Sequence, residues 1–449
     1  MALLTEHQER ARIVAGGTDL MVEFDRGSRT GVEVLIDLSR IEGLDSIHQS
    51  RHGIHLGPLV THNQCVTSEL VRTTGLPLAQ ACWEVGSPAL RNRATVVGNV
   101  VTASPANDSI SALIALDAEL SLASDRGLRS VPVAEFHTGV RRTVLQPDEL
   151  VTGITFPAME DDRRGVFMKL GLRRAQAISV VHLTIVATIN AAGTISDPRV
   201  VLGSVSPVVG RIGAAEAVLD GRSLTESVMN AAAEAAVGAV APIDDVRATA
   251  EYRNDQIEVM VRRALLALAN AVESDALPIN PPVLGGPAVP TGSRASGTDL
   301  SDSTSMVTAT VDGTRVQAPF RSGTLLEWLR DETDTTSVKE GCAEGECGAC
   351  TVQLDGTAVL SCLVPAGRVD GCSVVTASGV GESGDLSPLQ QKFIDAAAVQ
   401  CGFCIPGFIV AGNALQEQFP LPTDQQIDQG LAGNLCRCTG YYKIKDAFQ

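Results

Sequence analysis

Apolar and polar positions follow two periods along the first part of the chain. A strand period, with many β-branched residues, marks segments that we predict as strands: ARIVAGG, VEVLIDL, GIHLGPLV, ELSLAS, LVTGITFP, ISVVHLTIVATI and RVVLGSV. Residues 211–240 and 254–273 have apolar residues at helical spacing, and Asn254 or Asp255 is the predicted cap of the second helix. This mixture predicts an α+β fold.

The last third of the chain changes from strands to helices. SMVTATVDGTRVQAPF and ACTVQLDGTAVLSCLV predict two hairpins that turn at Asp312-Gly313 and Asp355-Gly356, with a short helix, GTLLEWLRDET, after the first. From Leu386 onward, SPLQQKFIDAAAVQ, GFIVAGNALQEQ and TDQQIDQGLAGNL predict helices. A small β-rich domain is therefore expected before a small helical one.

One segment has no apolar period. Residues 276–305 are rich in proline, glycine and serine, which predicts a linker that is part stiff and part flexible. We accordingly divide the chain into residues 1–165, 166–275, this linker, 306–380 and 381–449.

Charge and cysteine content narrow the class of protein. The formal net charge is −17, which argues against nucleic acid as a partner, because binding it needs clustered Lys and Arg. No apolar run approaches the length of a membrane span, and no secretory signal is evident, so we expect a cytoplasmic protein. Of the 11 cysteines, nine fall in the last 108 residues. In a reducing compartment that clustering favours a metal over disulfides.

The first cysteine group has the spacing of a plant-type [2Fe–2S] site. Cys342, Cys347 and Cys350 form C-x4-C-x2-C in EGCAEGECGACTV, and Cys362 follows. Gly341, Gly345 and Gly348 allow the tight or left-handed backbone such a loop requires, and leave N–H groups to point at the sulfurs. Zinc is the alternative, but its ligands usually come as C-x2–4-C pairs.

The second cysteine group is more ambiguous from its spacing. Cys401 and Cys404 form C-x2-C, and Cys436 and Cys438 form C-x-C in GNLCRCTGYY. A C-x-C pair is awkward for zinc, and a thioredoxin-like pair would need a βαβ setting. An iron–sulfur site is favoured, with zinc still open. The remaining three cysteines, Cys65, Cys82 and Cys372, are expected to be buried small hydrophobes.

Together, EGCAEGECGACTV and QCGFCIPG…GNLCRCTGY resemble the two [2Fe–2S] domains of the molybdenum hydroxylase family, which includes xanthine dehydrogenase and aldehyde oxidoreductase. The resemblance covers about residues 306–449. It implies a β-grasp ferredoxin domain followed by a helical-bundle domain, and two [2Fe–2S] clusters. In the family, the glutamine that matches Gln400 hydrogen-bonds the pterin of the molybdenum cofactor.

The N-terminal part resembles the family's FAD domain, with residues 166–275 as the C-terminal subdomain of the flavoprotein. AGGTDL resembles the first flavin loop and RNRATVVGNVVTASPANDS the second. Small-residue turns of this kind let backbone N–H groups approach a pyrophosphate. The resemblance implies these FAD contacts: Ala15, Gly16, Gly17, Thr18, Asp19, Gly98, Asn99, Thr102, Ser104, Asp108 and Lys169.

Several departures from the family pattern are informative. Val97 stands where the family usually has glycine, which puts a flavin contact there in question. Only 14 residues precede AGGTDL, where the family usually has a strand and most of a helix, so we expect those elements to be missing in part. The lack of cysteine between residues 83 and 341 argues against the benzoyl-CoA reductase branch, and Thr18-Asp19 in place of His-Ser argues weakly against carbon monoxide dehydrogenases.

No segment could serve as the family's molybdenum domain. The resemblance therefore implies an electron-transfer subunit of a xanthine, N-heterocycle or aldehyde dehydrogenase. It would pass electrons from a molybdopterin cofactor on a large partner subunit through both clusters to FAD, and then to NAD⁺ or another acceptor. The expected assembly is a heterodimer that dimerises further. Two alternatives are a stand-alone NAD(P)H:acceptor flavoprotein and a zinc-bearing interaction module fused to a degenerate flavin domain.

Overall fold

The computed structural model describes residues 1–285, 300–301, 304–381 and 385–449. These residues divide into two compact units that interleave along the chain. Unit 1 comprises Met1–Arg12, Glu42–Val85 and Thr95–Asn280, and unit 2 comprises Ile13–Ile41, Gly86–Ala94 and Pro281–Gln449. The chain therefore leaves unit 1 twice before the predicted linker.

Residues 1–143 alternate short helices with short strands. The helices are α1 Ala2–His7, α2 Leu20–Asp25, α3 His62–Thr67, α4 Glu69–Thr74, α5 Leu76–Trp83, α6 Pro88–Arg91, α7 Val96–Thr102, α8 Asp108–Ala115 and α9 Val133–Phe136. The strands are β1 Ala11–Val14, β2 Val34–Asp37, β3 Ile47–Ser50, β4 Gly53–Leu56, β5 Glu119–Ser124, β6 Gly127–Pro132, β7 His137–Gly139 and β8 Arg142–Thr143. The sequence pattern missed α3–α5, which are only six to eight residues long and, in α5, buried at nearly every position, so that no helical alternation shows.

Residues 150–270 supply the longest elements. They are β9 Leu150–Phe156, β10 Arg163–Gly171, β11 Ser179–Ile189, β12 Ile195–Gly203, β13 Gly210–Arg211, α10 Gly213–Leu219, α11 Glu226–Gly238 and α12 Ala250–Asn270. In unit 1, β3-β4-β9-β5-β6 form one sheet and β10-β11-β12-β13 form another, which packs with α10–α12 around a second apolar core. The predicted cap of α12 is wrong: Thr249 caps it by accepting from the N–H of Tyr252, and Asn254 lies inside the helix.

The last third confirms the predicted change from strands to helices. Its strands are β14 Met306–Val311, β15 Thr314–Pro319, β16 Thr351–Leu354, β17 Thr357–Leu360 and β18 Ser373–Val375. Its helices are α13 Leu325–Glu327, α14 Pro388–Asp395, α15 Ile405–Gln418, α16 Asp424–Gly430 and α17 Tyr442–Asp446. The strands form a mixed sheet ordered β15-β14-β18-β16-β17, in which β14 and β18 run parallel. This order and the two hairpins agree with a β-grasp domain.

The described part of the predicted linker is packed against unit 2 from residue 281 onward. Leu284 is buried in the core of the helical domain. Gln418 accepts through Oε1 from the N–H groups of Val283 and Leu284, at 3.0 and 3.2 Å. Residues 286–299 and 302–303 of the linker, and residues 382–384 near the last predicted boundary, lie outside the described residues.

The remaining cysteines and two histidines have structural positions outside the predicted sites. Cys65, Cys82 and Cys372 are buried, as expected. His48 and His55 lie opposite each other on the β3–β4 pair, with ring centroids 5.0 Å apart. In the described part of the chain, no helix is both long and apolar enough to span a bilayer.

Candidate functional site: two cysteine groups and two small-residue loops

The first cysteine group brings four thiols together in two pairs. Cys342 interacts with Cys347, and Cys350 interacts with Cys362. Cys350 and Cys362 are buried and the other two are half-buried. Within the described residues, no three His, Cys, Asp or Glu side chains surround a single ion position. Two pairs are nevertheless what a [2Fe–2S] cluster requires, since its four thiolates are divided between two irons.

The loop that carries this group uses its glycines in two ways. Gly345 and Gly348 have φ of +78° and +70°, which confirms the predicted left-handed backbone. Gly341 is needed for space, because a Cβ there would lie 2.7 Å from a cysteine sulfur. The turn directs the N–H of Glu344 at Cys342 Sγ, at 3.4 Å. Backbone donors therefore surround a sulfur that would bind iron, as the sequence predicts.

In each pair, the contact between the two thiols favours ionisation of one of them to a thiolate. Hydrogen bonds from Cys347 and from backbone N–H groups lower the pKa of Cys342 to about 5. The hydrogen bond with Cys342 raises the pKa of Cys347. In the other pair, the hydrogen bond from Cys362 lowers the pKa of Cys350, and the pKa of Cys362 is raised. In each pair, the ionised form that binds iron is therefore favoured at one of the two sulfurs.

The second cysteine group also forms two pairs, and each pair joins one cysteine of the C-x2-C motif to one cysteine of the C-x-C motif. Cys401 interacts with Cys438, and Cys404 interacts with Cys436. Thr439 donates to Cys436 Sγ through its N–H at 3.4 Å and its hydroxyl at 3.2 Å. Burial and the contact with Cys436 raise the pKa of Cys404 to about 12. The loop before α15 and the loop before α17 therefore supply one member of each pair.

This second group lies at an exposed and partly apolar surface. Cys401 and Cys438 are exposed, as is Gln400 beside them. The side chains of Val399 and Phe403 are 46% and 49% exposed. Two exposed apolar side chains therefore lie beside the exposed pair of cysteines.

Backbone and side-chain hydrogen bonds join the two cysteine groups within unit 2. The N–H of Leu435 donates to the carbonyl oxygen of Cys347 at 2.9 Å. Asn434, which is 5% exposed, donates through Nδ2 to Gly348 O at 3.0 Å and to Thr351 Oγ1 at 3.4 Å. The loop before α17 is therefore fixed directly to the loop before β16.

The first predicted flavin loop, Ala15–Asp19, connects β1 to α2 in unit 2. Gly16 is buried, and a Cβ there would lie 2.3 Å from the carbonyl oxygen of Arg93. Gly17 has φ of +82°. Among the described residues, the N–H groups of Gly16, Gly17 and Thr18 donate to no acceptor. Successive N–H groups without acceptors on a glycine-containing loop fit an anionic group such as a diphosphate.

From Thr95 onward, the second predicted flavin segment lies in unit 1, on α7 and the loop to α8. Its half-buried predicted contacts are Gly98, Asn99, Thr102 and Ser104. Asn99 is held from both sides: Ser109 Oγ donates to its Oδ1 and Asn107 Nδ2 to its carbonyl oxygen, both at 2.6 Å. Val97 packs in the apolar core, so its side chain is directed away from the loop face.

Asp108 and Lys169, both predicted flavin contacts, form a buried ion pair. Lys169 Nζ lies 2.6 Å from Asp108 Oδ2, and both side chains are about 5% exposed. Lys169 also donates to Glu84 O at 2.9 Å, and Ser179 Oγ donates to Asp108. Because a buried charge is costly unless it is paired, each of these two residues has a structural role in neutralising the other. Their contact with a flavin stays a prediction.

Sequence reasoning missed several residues that shape these sites. Asn434 and Thr439 flank the C-x-C pair, and their short polar side chains beside cysteines could have been recognised as supports for the loop. Arg93 and Ser179 carry no such signal, since they act on residues distant in sequence.

Four family descriptions match successive parts of the chain. They are "FAD binding domain in molybdopterin dehydrogenase" over residues 1–159, "CO dehydrogenase flavoprotein C-terminal domain" over 167–268, "2Fe-2S iron-sulfur cluster binding domain" over 309–371 and "[2Fe-2S] binding domain" over 376–449.

Relatives of the two parts are separate subunits. The nicotinate dehydrogenase small FeS subunit of Eubacterium barkeri is 53% identical over 123 residues, which cover 27% of this chain and 78% of that protein. The FAD-subunit of the same enzyme is 29% identical over 265 residues, covering 58% of this chain and 89% of that protein. A chain of carbon monoxide dehydrogenase from Hydrogenophaga pseudoflava matches with a TM-score of 0.58 and 31% identity, over 60% of this chain and 93% of that chain.

The fold and the family matches together define an oxidoreductase component in which an FAD-binding part and two [2Fe–2S] domains lie in one chain. The chain belongs to the molybdenum hydroxylase family, as an electron-transfer component. Its flavoprotein and iron–sulfur parts, which are separate subunits in the nicotinate dehydrogenase relatives, are here a single polypeptide.

Proposed function

We propose that this chain carries electrons from a molybdopterin site on a partner subunit, through two [2Fe–2S] clusters, to FAD and then to NAD⁺ or another acceptor. The observation that supports this most directly is the 2.9 Å hydrogen bond from Leu435 N to Cys347 O. Cys347 belongs to the first cysteine group and Leu435 adjoins Cys436 of the second. Covalent bonds and one hydrogen bond thus connect the two groups.

The residues have distinct proposed roles. The clusters supply one-electron relays, and the flavin supplies the exchange between one- and two-electron chemistry. The paired thiols of each group would hold one cluster: Cys342, Cys347, Cys350 and Cys362 the first, and Cys401, Cys404, Cys436 and Cys438 the second. The Ala15–Asp19 loop offers its unpaired N–H groups to the flavin diphosphate.

The proposed partner is a large molybdopterin-binding subunit, on which the organic substrate would be hydroxylated. Support comes from relatives that are named as the small and FAD subunits of nicotinate dehydrogenase. The exposed surface around Gln400, Val399 and Phe403 is the proposed contact. Gln400 would face the pterin there. Xanthine, another N-heterocycle or an aldehyde is the proposed substrate class, and a dimer of heterodimers the proposed assembly.

Purification from the native host tests this function. A co-purifying molybdopterin-containing chain, identified by mass spectrometry, is the expected result. The oxidised complex should show flavin and iron–sulfur absorption, and two distinct cluster signals in EPR after reduction. A coloured protein that is reduced by NAD(P)H and has no large partner would instead favour the stand-alone flavoprotein. A colourless protein containing zinc would contradict the redox function altogether.

A further inference from the structure

Arg93 is a buried arginine to which neither the family resemblance nor the proposed electron route gives a role. Arg93 is 8% exposed to solvent. One guanidinium nitrogen, Nη2, donates to Gly16 O at 3.1 Å and lies 3.5 Å from Ala15 O. Its backbone carbonyl also lies against Gly16, at the place where a Cβ would fall. Arg93 therefore holds the first flavin loop through its side chain, and its backbone lies directly against Gly16.

The buried charge of Arg93 is favoured by the field of Asp37 but has no ion pair of its own within the described residues. Among the described residues Arg93 forms no ion pair, and its Nε has no hydrogen-bond partner. The neighbouring carboxylate, Asp37, pairs at 3.4 Å with Arg368, a second cation next to Arg93. Burial, reinforced by Arg368, lowers the pKa of Arg93 to about 9, so the guanidinium remains charged at neutral pH. A buried cation in such surroundings is costly, and a bound anion would offset the cost.

We propose that Arg93 positions the Ala15–Asp19 loop and supplies the positive charge that favours a diphosphate beside it. By drawing the carbonyl oxygens of Gly16 and Ala15 to its own side, Arg93 leaves the N–H groups of Gly16, Gly17 and Thr18 unpaired for a ligand. The inference rests on the proposed flavin site and adds to it a residue that selects the dinucleotide by its diphosphate.

Binding of FAD and riboflavin to the deflavinated full-length chain tests the inference, because both share the flavin ring and riboflavin has no phosphate. Arg93→Met should weaken FAD binding about ten- to a hundredfold, the range for loss of a hydrogen bond to a charged group. Riboflavin binding should not change. Arg93→Lys keeps the charge without the planar fork, so it should retain part of the selectivity for FAD. Fluorescence quenching of the flavin measures both affinities.

Arg72→Met is the matched control. Arg72 is also a partly buried arginine that donates to two backbone carbonyl oxygens, those of Val66 at 3.0 Å and Pro278 at 2.8 Å. It should leave both affinities unchanged, and the iron content reports that each variant is folded. An equal loss of FAD and riboflavin binding in Arg93→Met would reduce Arg93 to a structural residue and overturn the inference.

Two further outcomes are informative. If Arg93→Met loses its iron, Arg93→Lys decides, and a wild-type ratio of FAD to riboflavin affinity in that variant would overturn the inference. If the wild-type chain binds neither ligand, the proposed flavin site itself is wrong, which is distinguishable from a failure at Arg93.

Discussion

The two cysteine groups have the same number of thiols in very different surroundings. In the first, Cys350 and Cys362 are 3% exposed and belong to the apolar core of the β-grasp domain. In the second, Cys401 and Cys438 are exposed, and apolar side chains around them face solvent. The first group places two of its thiols in an apolar core, whereas the second presents two of its thiols at a surface.

This difference indicates a direction for the proposed electron route. A relay that receives electrons from another subunit must come close to that subunit, and the exposed group meets this condition. A relay that passes electrons within one chain gains from a rigid, dry setting, and the buried group has one. Each prediction below changes a matched position in both groups, or at their junction, to test the contrast.

Loss of one cysteine should have the largest effect in the buried group. Cys362→Ser should remove the first cluster and also destabilise the β-grasp domain, because the new hydroxyl and the unligated Cys350 would lie in its apolar core. Cys438→Ser should remove the second cluster while that domain stays folded. Iron content, EPR and thermal unfolding measure these outcomes.

Cys372→Ser is the control for that comparison, since Cys372 is a buried thiol of the same domain outside both groups. It should keep both clusters. Equal loss of folding in Cys362→Ser and Cys438→Ser would contradict the distinction between a buried and a presented group.

The contrast itself could be predicted only in part from the sequence. The spacing of the eight cysteines and the change from strands to helices were sufficient to predict two iron–sulfur domains. The glycines around Gly345 were sufficient to predict the left-handed backbone of the first cysteine loop. Exposure could not be predicted, because it depends on how α15 and α17 pack behind Cys401 and Cys438. The interleaving of the units and the place of Arg93 were likewise inaccessible, since they depend on contacts between distant segments.

Replacing one glycine in each cysteine loop should show that the first loop is packed more tightly than the second. Gly345 and Gly402 have φ of +78° and +84°, so alanine is strained at both. A Cβ on Gly345 would lie 2.3 Å from Leu363 Cδ1, whereas the nearest atom to one on Gly402 is Val399 Cγ1 at 3.8 Å. Gly345→Ala should therefore cost about 2–5 kcal/mol, the sum of backbone strain and overpacking.

Gly402→Ala should cost about 1–2 kcal/mol from strain alone. Chemical denaturation of the cluster-loaded chain, followed at the iron–sulfur absorption, compares the two variants. Similar costs would mean that the second loop is as tightly packed as the first.

The junction between the groups should be sensitive to Asn434. Asn434→Ala removes two buried hydrogen bonds and leaves Gly348 O without this donor, so it should lower the free energy of unfolding by about 1–3 kcal/mol. Electron exchange between the clusters, followed by rapid-freeze EPR, should also become slower. Asn413→Ala, at a half-buried position where the amide donates to Glu417, is the control and should change neither quantity.

The smallest effect on the isolated chain is expected at Gln400, which is exposed and has no described partner in it. Gln400→Ala should change the free energy of unfolding by less than about 0.5 kcal/mol, as surface substitutions usually do, and leave both EPR signals intact. In the complex with the large subunit, however, the same variant should slow reduction of the clusters by the organic substrate, because Gln400 is the proposed contact with the pterin. Stopped-flow absorbance measures that rate. An unchanged rate would remove Gln400 from electron entry and leave the exposed cysteine group without its proposed link to the partner.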